Sequence, residues 1–255
     1  MFLIFISDLG VDLPANAKTF ILKYVDDTKA IHPVTTPEDV EAFQESLDLL
    51  YRWQSINNME WNGSKFVAVR IGPLSDITEN TMIFTPEVGE PITVKDHTKD
   101  LGVLIDSNAD FCPQRRAVAA KTSAKAALVL RTFQGRSLPL MRTLWRTVVQ
   151  PHQDYASQLW APVGLQGDLQ LQEAPLRAFT RRVRGLSTLP YWERLASMRL
   201  LSTERRQERY KVIYTWKALK GLVPPCGITL APVTNTTSGQ LALVPSLSGT
   251  CVTPL

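Results

Sequence analysis

FILKYVDDTKA, residues 20–30, places two adjacent aspartates directly after an apolar run. Thr19–Lys23 is predicted to form a strand and Lys29–Pro33 the strand that returns beside it, because both flank a short polar turn. Asp26 and Asp27 would then lie at the tip of a β-hairpin. Two like charges held this close repel one another, so the pair raises the question of what it binds.

Two explanations of the aspartate pair are open at the level of residue type. Asp is a common turn residue, and a solvated acidic turn needs no function. Alternatively, the pair holds divalent metal, because Mg²⁺ takes one or two carboxylates together with substrate phosphates. Two such ions can clamp the attacking and leaving oxygens of a phosphoryl transfer. The two aspartates alone favour the solvated turn, so the surrounding sequence has to decide between the two explanations.

An amphipathic helix is predicted after the hairpin. Thr36 is a suitable N-cap, Pro37 suits the first helical position, and apolar residues recur at helical spacing through residues 37–55. The alternation of side chains then predicts further strands. These strands are residues 65–71, after the turn pair Asn62–Gly63, and residues 99–106.

The two parts of the chain carry opposite charge. Residues 1–110 contain 8 Lys and Arg against 18 Asp and Glu, whereas residues 111–255 contain 20 against 6. Acidic side chains can gather metal ions, and basic side chains can follow a phosphate backbone. Helices are predicted through residues 115–221. We therefore expect an α+β fold with a mixed region at 1–110, a helical region at 111–225 and a loose tail at 226–255.

Cysteine spacing and hydropathy constrain the cellular compartment. Cys112, Cys226 and Cys251 are far apart and match neither a disulfide framework nor a zinc site. The apolar opening FLIFI is far shorter than the roughly 20 residues of a membrane span, and it lacks the basic segment of a signal peptide. We therefore expect an intracellular protein, nuclear or cytoplasmic, that is not secreted and has no membrane partner.

The order of motifs resembles the reverse transcriptases of non-LTR (LINE-type) retrotransposons. YVDD, residues 24–27, has their Tyr-x-Asp-Asp signature, and FLIFISDL resembles the segment before it. LDLLYRWQSINNMEWNGSKF and KDLGVLID resemble the next two blocks of the family. LWRTVVQPHQDYASQLWAP and YWERLASMRLLSTERRQERYKVIYTWKAL resemble its helical region. The resemblance covers about residues 1–228 in the family's order.

The resemblance implies an RNA-directed DNA polymerase whose partners are an RNA template, a DNA primer and deoxynucleoside triphosphates, with two Mg²⁺ ions as cofactors. The implied fold is an incomplete polymerase palm, made of β-hairpins plus a helix, followed by an all-α helical thumb. The family's third catalytic carboxylate and its fingers precede FLIFISDL, so we expect this chain to be inactive alone. The alternatives are a non-catalytic nucleic-acid-binding module and an inactive retroelement remnant.

Catalytic roles fall on three residues at positions that match the family's motifs. Asp26 and Asp27 are the implied metal ligands. Lys65 matches a lysine near the incoming triphosphate, where a cation could offset charge on the leaving pyrophosphate. An exposed lysine at the end of a strand explains Lys65 equally well.

Primer and template contacts fall on two further groups. Tyr24 would line the primer–template cleft, and Leu101 and Gly102 match a hairpin that grips the primer end, although a glycine bulge within a strand is the simpler explanation. Basic residues three to four positions apart share a helix face and could track phosphates, although charge runs are usually solvated. The first such group is Arg115, Arg116, Lys121 and Lys125, and similar groups recur at residues 181–184 and 205–209.

Four aromatic residues of the helical region are expected mostly to pack in the core rather than to stack on bases. They are Tyr155, Trp160, Trp192 and Trp216. This expectation follows from their helical or loop settings.

Overall fold

The computed structural model describes residues 2–14, 17–62, 65–72, 82–85, 89–162, 164–223, 230–232 and 241–243. The fold is of the mixed α+β class, as the sequence predicts. The chain divides into two compact units, of which the first contains residues 1–98 and the second contains residues 99–226. The division therefore lies before the position near 110 that the change in composition suggests.

A β-hairpin is formed where the sequence predicts one. Strand β1, Phe20–Tyr24, pairs antiparallel with strand β2, Asp27–Ile31. The pairing runs from Phe20 opposite Ile31 to Tyr24 opposite Asp27. Because β1 ends one residue later and β2 begins two residues earlier than predicted, only Val25 and Asp26 remain in the turn.

A long helix, α2, packs beside this hairpin in the first unit. It follows the short opening helix α1, Phe2–Phe5, and a 3-10 turn at Ile6–Asp8. Helix α2 spans Pro37–Ile56, which confirms the predicted helix. One face of α2 buries apolar side chains against the opening turn, and this cluster contains Ile6, Leu9, Leu50 and Trp53.

The predicted N-cap of α2 is confirmed and forms a capping box. The Thr36 Oγ1 atom accepts a hydrogen bond from the Asp39 amide at 3.4 Å, and Asp39 Oδ2 accepts from the Thr36 amide at 2.9 Å. This exchange satisfies two helix-terminal donors. Asp39 also accepts from Thr35 and pairs with the Lys18 ammonium at 2.8 Å.

These contacts make the first unit sensitive to acid. The hydrogen bond from Lys18, followed by those from Thr35 and Thr36, holds the pKa of Asp39 well below its usual value. A carboxyl group whose pKa is lowered by folding stabilises the folded state above its unfolded pKa of about 3.9, and this stabilisation is lost as the pH falls below that value.

We expect Asp39→Asn to reduce the change in the free energy of unfolding, measured with urea, between about pH 6 and pH 2. The exposed acid Glu41 provides the control, because Glu41→Gln should leave that dependence unchanged; an equal effect of both variants would contradict the assignment.

The predicted strand at residues 65–71 is reduced to a single bridge in the part of this segment that the structure describes. Ala68 bridges Val94 in a parallel sense, through Ala68 N to Thr93 O at 3.0 Å and Lys95 N to Ala68 O at 2.9 Å. An alternating run becomes a strand only where a second backbone runs beside it, and here the second backbone meets the run at one point. Gly63 of the predicted turn lies outside the described residues.

The predicted single strand at 99–106 is wrong, because the segment contains a tight turn. Strand β3, His97–Asp100, pairs with strand β4, Val103–Asp106. The two residues between them, Leu101 and Gly102, have φ of 43° and 90°. Positive φ at both positions is typical of the turn whose twist matches a two-residue hairpin, and glycine adopts it without strain.

Helices predominate in the second unit, as the sequence predicts. The predicted second helix continues as a π-helix at Trp145–Val149, and the chain goes on as helix past Pro151, where the prediction ended it. A proline is tolerated in the first turn of a helix because its missing N–H has no helical partner there. The helices are α3 Cys112–Thr132, α4 Leu138–Leu144, α5 Pro151–Asp154, α6 Ser157–Trp160, α7 Gln166–Arg181, α8 Tyr191–Met198 and α9 Thr203–Leu219.

Two apolar clusters hold this unit together. The larger one contains the fully buried side chains of Trp145, Phe179 and Met198, with the Trp145 and Phe179 ring centroids 5.0 Å apart. The smaller one joins β4 to the helices through Val103, Val118 and Trp160. This contact explains why β4 belongs to the helical unit, although its composition resembles that of the first part.

The predicted loose tail contains a strand pair in its described part. Strand β5, Leu230–Pro232, pairs antiparallel with strand β6, Leu241–Leu243. No helix within the described ranges has the length and apolar character that crossing a bilayer requires.

Candidate functional site

The β1–β2 turn presents the aspartate pair to solvent. Asp26 lies in the turn, Asp27 begins β2, and both are exposed together with Tyr24. Val25 has φ of 55°, a left-handed conformation that costs about 1–3 kcal/mol for a residue that is not glycine. The cost is at the high end of this range for a β-branched residue, and strain of this kind occurs most often at functional turns.

The carboxylates of the pair have no cationic partner in the described part of the chain. No ion pair involves Asp26 or Asp27 there. Among the described residues, no cation offsets their mutual repulsion. The pair provides the one or two carboxylates that a Mg²⁺ site takes from a protein. The described residues contain no group of three or more metal-ligating side chains, so the remaining ligands would be water and substrate phosphates or residues outside this part.

A small cavity of about 40 Å³ lies beside the turn. Two carboxylates, those of Asp26 and Glu60, belong to its lining. The indole nitrogens of Trp53 and Trp61, also in the lining, are buried and lack a hydrogen-bond partner within the described structure. Glu60 was missed in the sequence, because it lies in the irregular segment after α2, where no periodicity marks it.

Lys65 lies in a turn and its side chain is exposed. Its backbone amide donates to the Asn62 carbonyl at 2.9 Å. Within the described residues its ammonium has no ion-pair contact with the aspartate pair. The role of Lys65 beside a triphosphate therefore stays a prediction.

The Leu101–Gly102 turn is braced by an aromatic side chain of the same unit. Tyr155 Oη donates to the Leu101 carbonyl at 2.7 Å. A Cβ atom on Gly102 would lie 3.6 Å from the Tyr155 ring, an ordinary contact distance. The hydrogen bond and the ring together fix the turn that the sequence assigns to the primer end.

The expectation that most of the four aromatic residues pack in the core is wrong. Trp160 is buried, whereas Tyr155, Trp192 and Trp216 are each more than half exposed. Amphipathic aromatics tolerate exposure when one face packs on the protein. Trp216 also lines a groove of about 320 Å³ on α9. The exposed rings are available for stacking on bases.

The basic face of α3 is smaller than the sequence predicts. Arg116 and Lys121 are exposed and Lys125 is partly exposed. Arg115, in contrast, is only 5% exposed. Its Nε lies 2.5 Å from Asp168 Oδ2, and its Nη1 donates to the Asp110 carbonyl at 2.6 Å. Arg115 therefore does not lie on the exposed face, because an ion pair turns its guanidinium inward.

A histidine extends this face. Burial lowers the pKa of His152, and the nearby charges of Lys121 and Lys125 lower it further. The imidazole is therefore mainly neutral at pH 7, with one donor and one acceptor nitrogen. The sequence did not indicate His152, because it lies on α5 and approaches α3 only through the fold.

Helix α9 repeats the pattern of an inward arginine among outward ones. Arg206 Nε lies 3.2 Å from Asp154 Oδ1, and its Nη2 donates to Gln153 Oε1 at 3.1 Å. Gln153 donates to the Gln172 carbonyl, and Gln172 donates to the Arg115 carbonyl. The two buried arginines therefore belong to one polar network. The neighbours of Arg206 that remain exposed are Arg205 and Arg209.

A second polar group surrounds Tyr191. The Arg177 and Arg194 guanidinium carbons lie 4.3 and 5.3 Å from its ring centroid. Tyr191 Oη donates to Glu173, which also accepts from the Thr203 amide at 2.7 Å. Burial, followed by the hydrogen bond to Glu173 and the charge of that carboxylate, raises the pKa of Tyr191 well above its usual value. No local sequence pattern indicates this group, because its members come from α7, α8 and α9.

Comparisons with known proteins add no relative. No protein-family model, no curated protein and no solved structure matches the chain.

Proposed function

We propose that this chain is part of an RNA-directed DNA polymerase of a non-LTR retrotransposon, to which it contributes the aspartate pair and a helical nucleic-acid-binding region. The observation that carries the proposal is the YVDD turn. Its two adjacent carboxylates are exposed, and flanking strands hold them in place. The order of the surrounding motifs supports the same assignment.

The chemistry follows from the donors that the turn provides. In the parent reaction, a primer 3′-hydroxyl attacks the α-phosphate of a deoxynucleotide and pyrophosphate leaves. Asp26 and Asp27 would hold Mg²⁺, which when bound stabilises the charge on the attacking and leaving oxygens. Lys65 would offset the charge on the pyrophosphate. Tyr24, which is exposed beside the pair, would contact the primer–template.

Duplex binding would fall to the second unit. Arg116, Lys121 and Lys125 form a basic face on α3 that can contact phosphates without reading sequence. The Leu101–Gly102 turn would contact the primer end. The exposed basic residues also favour the second candidate function, a nucleic-acid-binding module without catalysis.

The first test measures whether duplex binding depends on metal at the aspartate pair. We expect the full chain to bind an RNA-template–DNA-primer duplex with steep salt dependence. At constant ionic strength, Mg²⁺ should tighten this binding by about threefold or more, because carboxylate-bound ions bridge to phosphates. The Asp26→Asn/Asp27→Asn double variant should lose the Mg²⁺ effect and keep the salt dependence. Fluorescence anisotropy of a labelled primer measures both quantities.

The matched control is the double variant Glu41→Gln/Glu45→Gln, which removes the same two charges from the exposed face of α2. It should keep the Mg²⁺ effect. If the aspartate variant also keeps that effect, the metal site is refuted and the binding module remains. Salt-insensitive or undetectable binding would refute both functions.

A second test concerns the gene. If the chain belongs to an intact polymerase, the reading frame upstream of the Met1 codon stays open and encodes a strand with a third aspartate, preceded by fingers. Sequencing the transcript and the genomic DNA checks this directly. Stop codons or unrelated sequence there would make the aspartate pair a relic.

By itself the chain should incorporate no nucleotide, and template-dependent incorporation that Asp26→Ala abolishes would contradict this expectation.

A further inference from the structure

Two arginines from two helices flank the Tyr191 ring, and a third lies one helical turn beyond the first. Arg177 and Arg181 lie one turn apart on α7, and Arg194 lies on α8. The Arg177 and Arg194 guanidinium carbons are 4.3 and 5.3 Å from the ring centroid. Arg194 Nη1 donates to the Arg177 carbonyl at 3.3 Å. The ring and this hydrogen bond hold the Arg177 and Arg194 guanidinium groups close together.

The positive charge of this group is not balanced by protein carboxylates. Throughout the described structure, no carboxylate lies within ion-pair distance of any of the three arginines. Glu173 is the acid that contacts Tyr191, but its two oxygens accept from Tyr191 Oη and from the Thr203 amide. The three guanidinium groups therefore present a concentrated charge to any anion that approaches.

Arg194 makes this charge costly in the absence of an anion. Its side chain is almost fully buried, at 4% exposure. Its Nε has no hydrogen-bond partner within the described residues. Burial lowers the pKa of Arg194, and the neighbouring charges of Arg181 and Arg177 lower it further. A buried charge without a counter-charge destabilises a protein, so a bound anion would relieve both the desolvation and the repulsion.

We propose that Arg177, Arg181 and Arg194 form a binding site for a phosphate group. Arg177 and Arg181 are exposed and can bind its oxygens through their planar forks. Arg194 is buried beside the Tyr191 ring and contributes its charge. A phosphate offers several acceptor oxygens to this set, whereas a carboxylate offers two and neutralises one charge of three.

The phosphate can be a free ion or a phosphodiester of a nucleic acid. Binding of a phosphodiester would be one contact of the proposed nucleic-acid-binding function and therefore depends on that function. Binding of the free ion does not depend on it. The two forms therefore need separate measurements.

The experiment compares Arg181→Gln with Arg131→Gln in the full chain. Both residues are exposed arginines in the last turn of a helix, on α7 and α3, and both changes remove one charge. With inorganic phosphate replacing chloride at constant ionic strength, we expect thermal unfolding of wild type and Arg131→Gln to shift upward equally. Arg181→Gln should show less than half of that shift. Side-chain ¹⁵N resonances of Arg177 and Arg181 should move with phosphate, which provides a readout independent of stability.

The second arm uses the RNA–DNA duplex. Arg181→Gln should weaken binding about fivefold and lower the salt slope by about 1, because one phosphate contact is lost. Arg131→Gln should have a smaller effect on both quantities. Equal phosphate responses in the two variants, or none in wild type, would overturn the site.

The two proposals fail in distinguishable ways. If both variants bind the duplex equally and respond equally to phosphate, the site is refuted while nucleic-acid binding stands. If phosphate binds through Arg181 and no duplex binds, the site is supported with free phosphate as its ligand, and the proposed function is refuted.

Discussion

Replacing Arg115 by alanine should lower the free energy of unfolding of the helical unit by about 3 kcal/mol, because the change breaks a buried ion pair and leaves its partner uncompensated. Arg115 is 5% exposed, and its guanidinium contacts Asp168 and the Asp110 carbonyl. The same change at Arg116, which is exposed, should alter stability by less than about 0.5 kcal/mol. Urea unfolding followed by far-ultraviolet circular dichroism measures both values.

For duplex binding the order should be reversed, with the larger effect in Arg116→Ala. Arg116→Ala should weaken binding and lower its salt slope by about 1, since Arg116 lies on the basic face of α3. Under conditions in which Arg115→Ala remains folded, this variant should keep the wild-type salt slope. Equal stability losses in the two variants would show that the Arg115 pair does not hold the unit together. A lowered slope in Arg115→Ala would instead place its guanidinium on the nucleic acid.

Replacing Glu173 by glutamine should destabilise the helical unit by about 2–4 kcal/mol, because two buried donors share this one carboxylate. Its oxygens accept from Tyr191 Oη and from the Thr203 amide at the start of α9. Glutamine turns one acceptor into a donor, which then faces another donor. Glu173→Gln is therefore destabilising even though the glutamine side chain has nearly the same shape as glutamate. Thermal and urea unfolding report the loss.

The control for Glu173 is Glu193, an exposed acid in the first turn of α8. Glu193→Gln should cost at most about 1 kcal/mol, the usual value of a charge at a helix end. Tyr191→Phe removes one of the two donors and should recover part of the stability lost in Glu173→Gln. Additive losses in this double variant would show that the two side chains do not interact.

The buried arginines limit what a run of charge in the sequence can indicate. Arg115 beside Arg116, and Arg206 beside Arg205, look alike in the sequence, yet one member of each pair is internal. Each internal guanidinium meets an aspartate from another helix, Asp168 or Asp154. The proposed nucleic-acid contacts should therefore be sought among the exposed members of each group.

Local patterns determined the elements that depend only on neighbouring residues. The hairpin around YVDD, the N-cap of α2 and the helical character of the chain after residue 111 were predicted from spacing and end signals. The sequence predicted a five-residue turn that contains Asp26 and Asp27, whereas the structure places Asp27 at the start of β2 and leaves both side chains exposed. The metal, template and primer roles of these residues stay predictions.

Only the tertiary structure decided which residues converge from distant positions. The inward turn of Arg115 depends on Asp168, which comes from another helix, and the group around Tyr191 unites residues of α7, α8 and α9. The run at 65–71 became a bridge because no second backbone runs beside it over its described length. Sequence spacing fixes the direction of a side chain on its own element. Which partner that side chain meets depends on how elements far apart in the chain pack, and spacing does not contain that information.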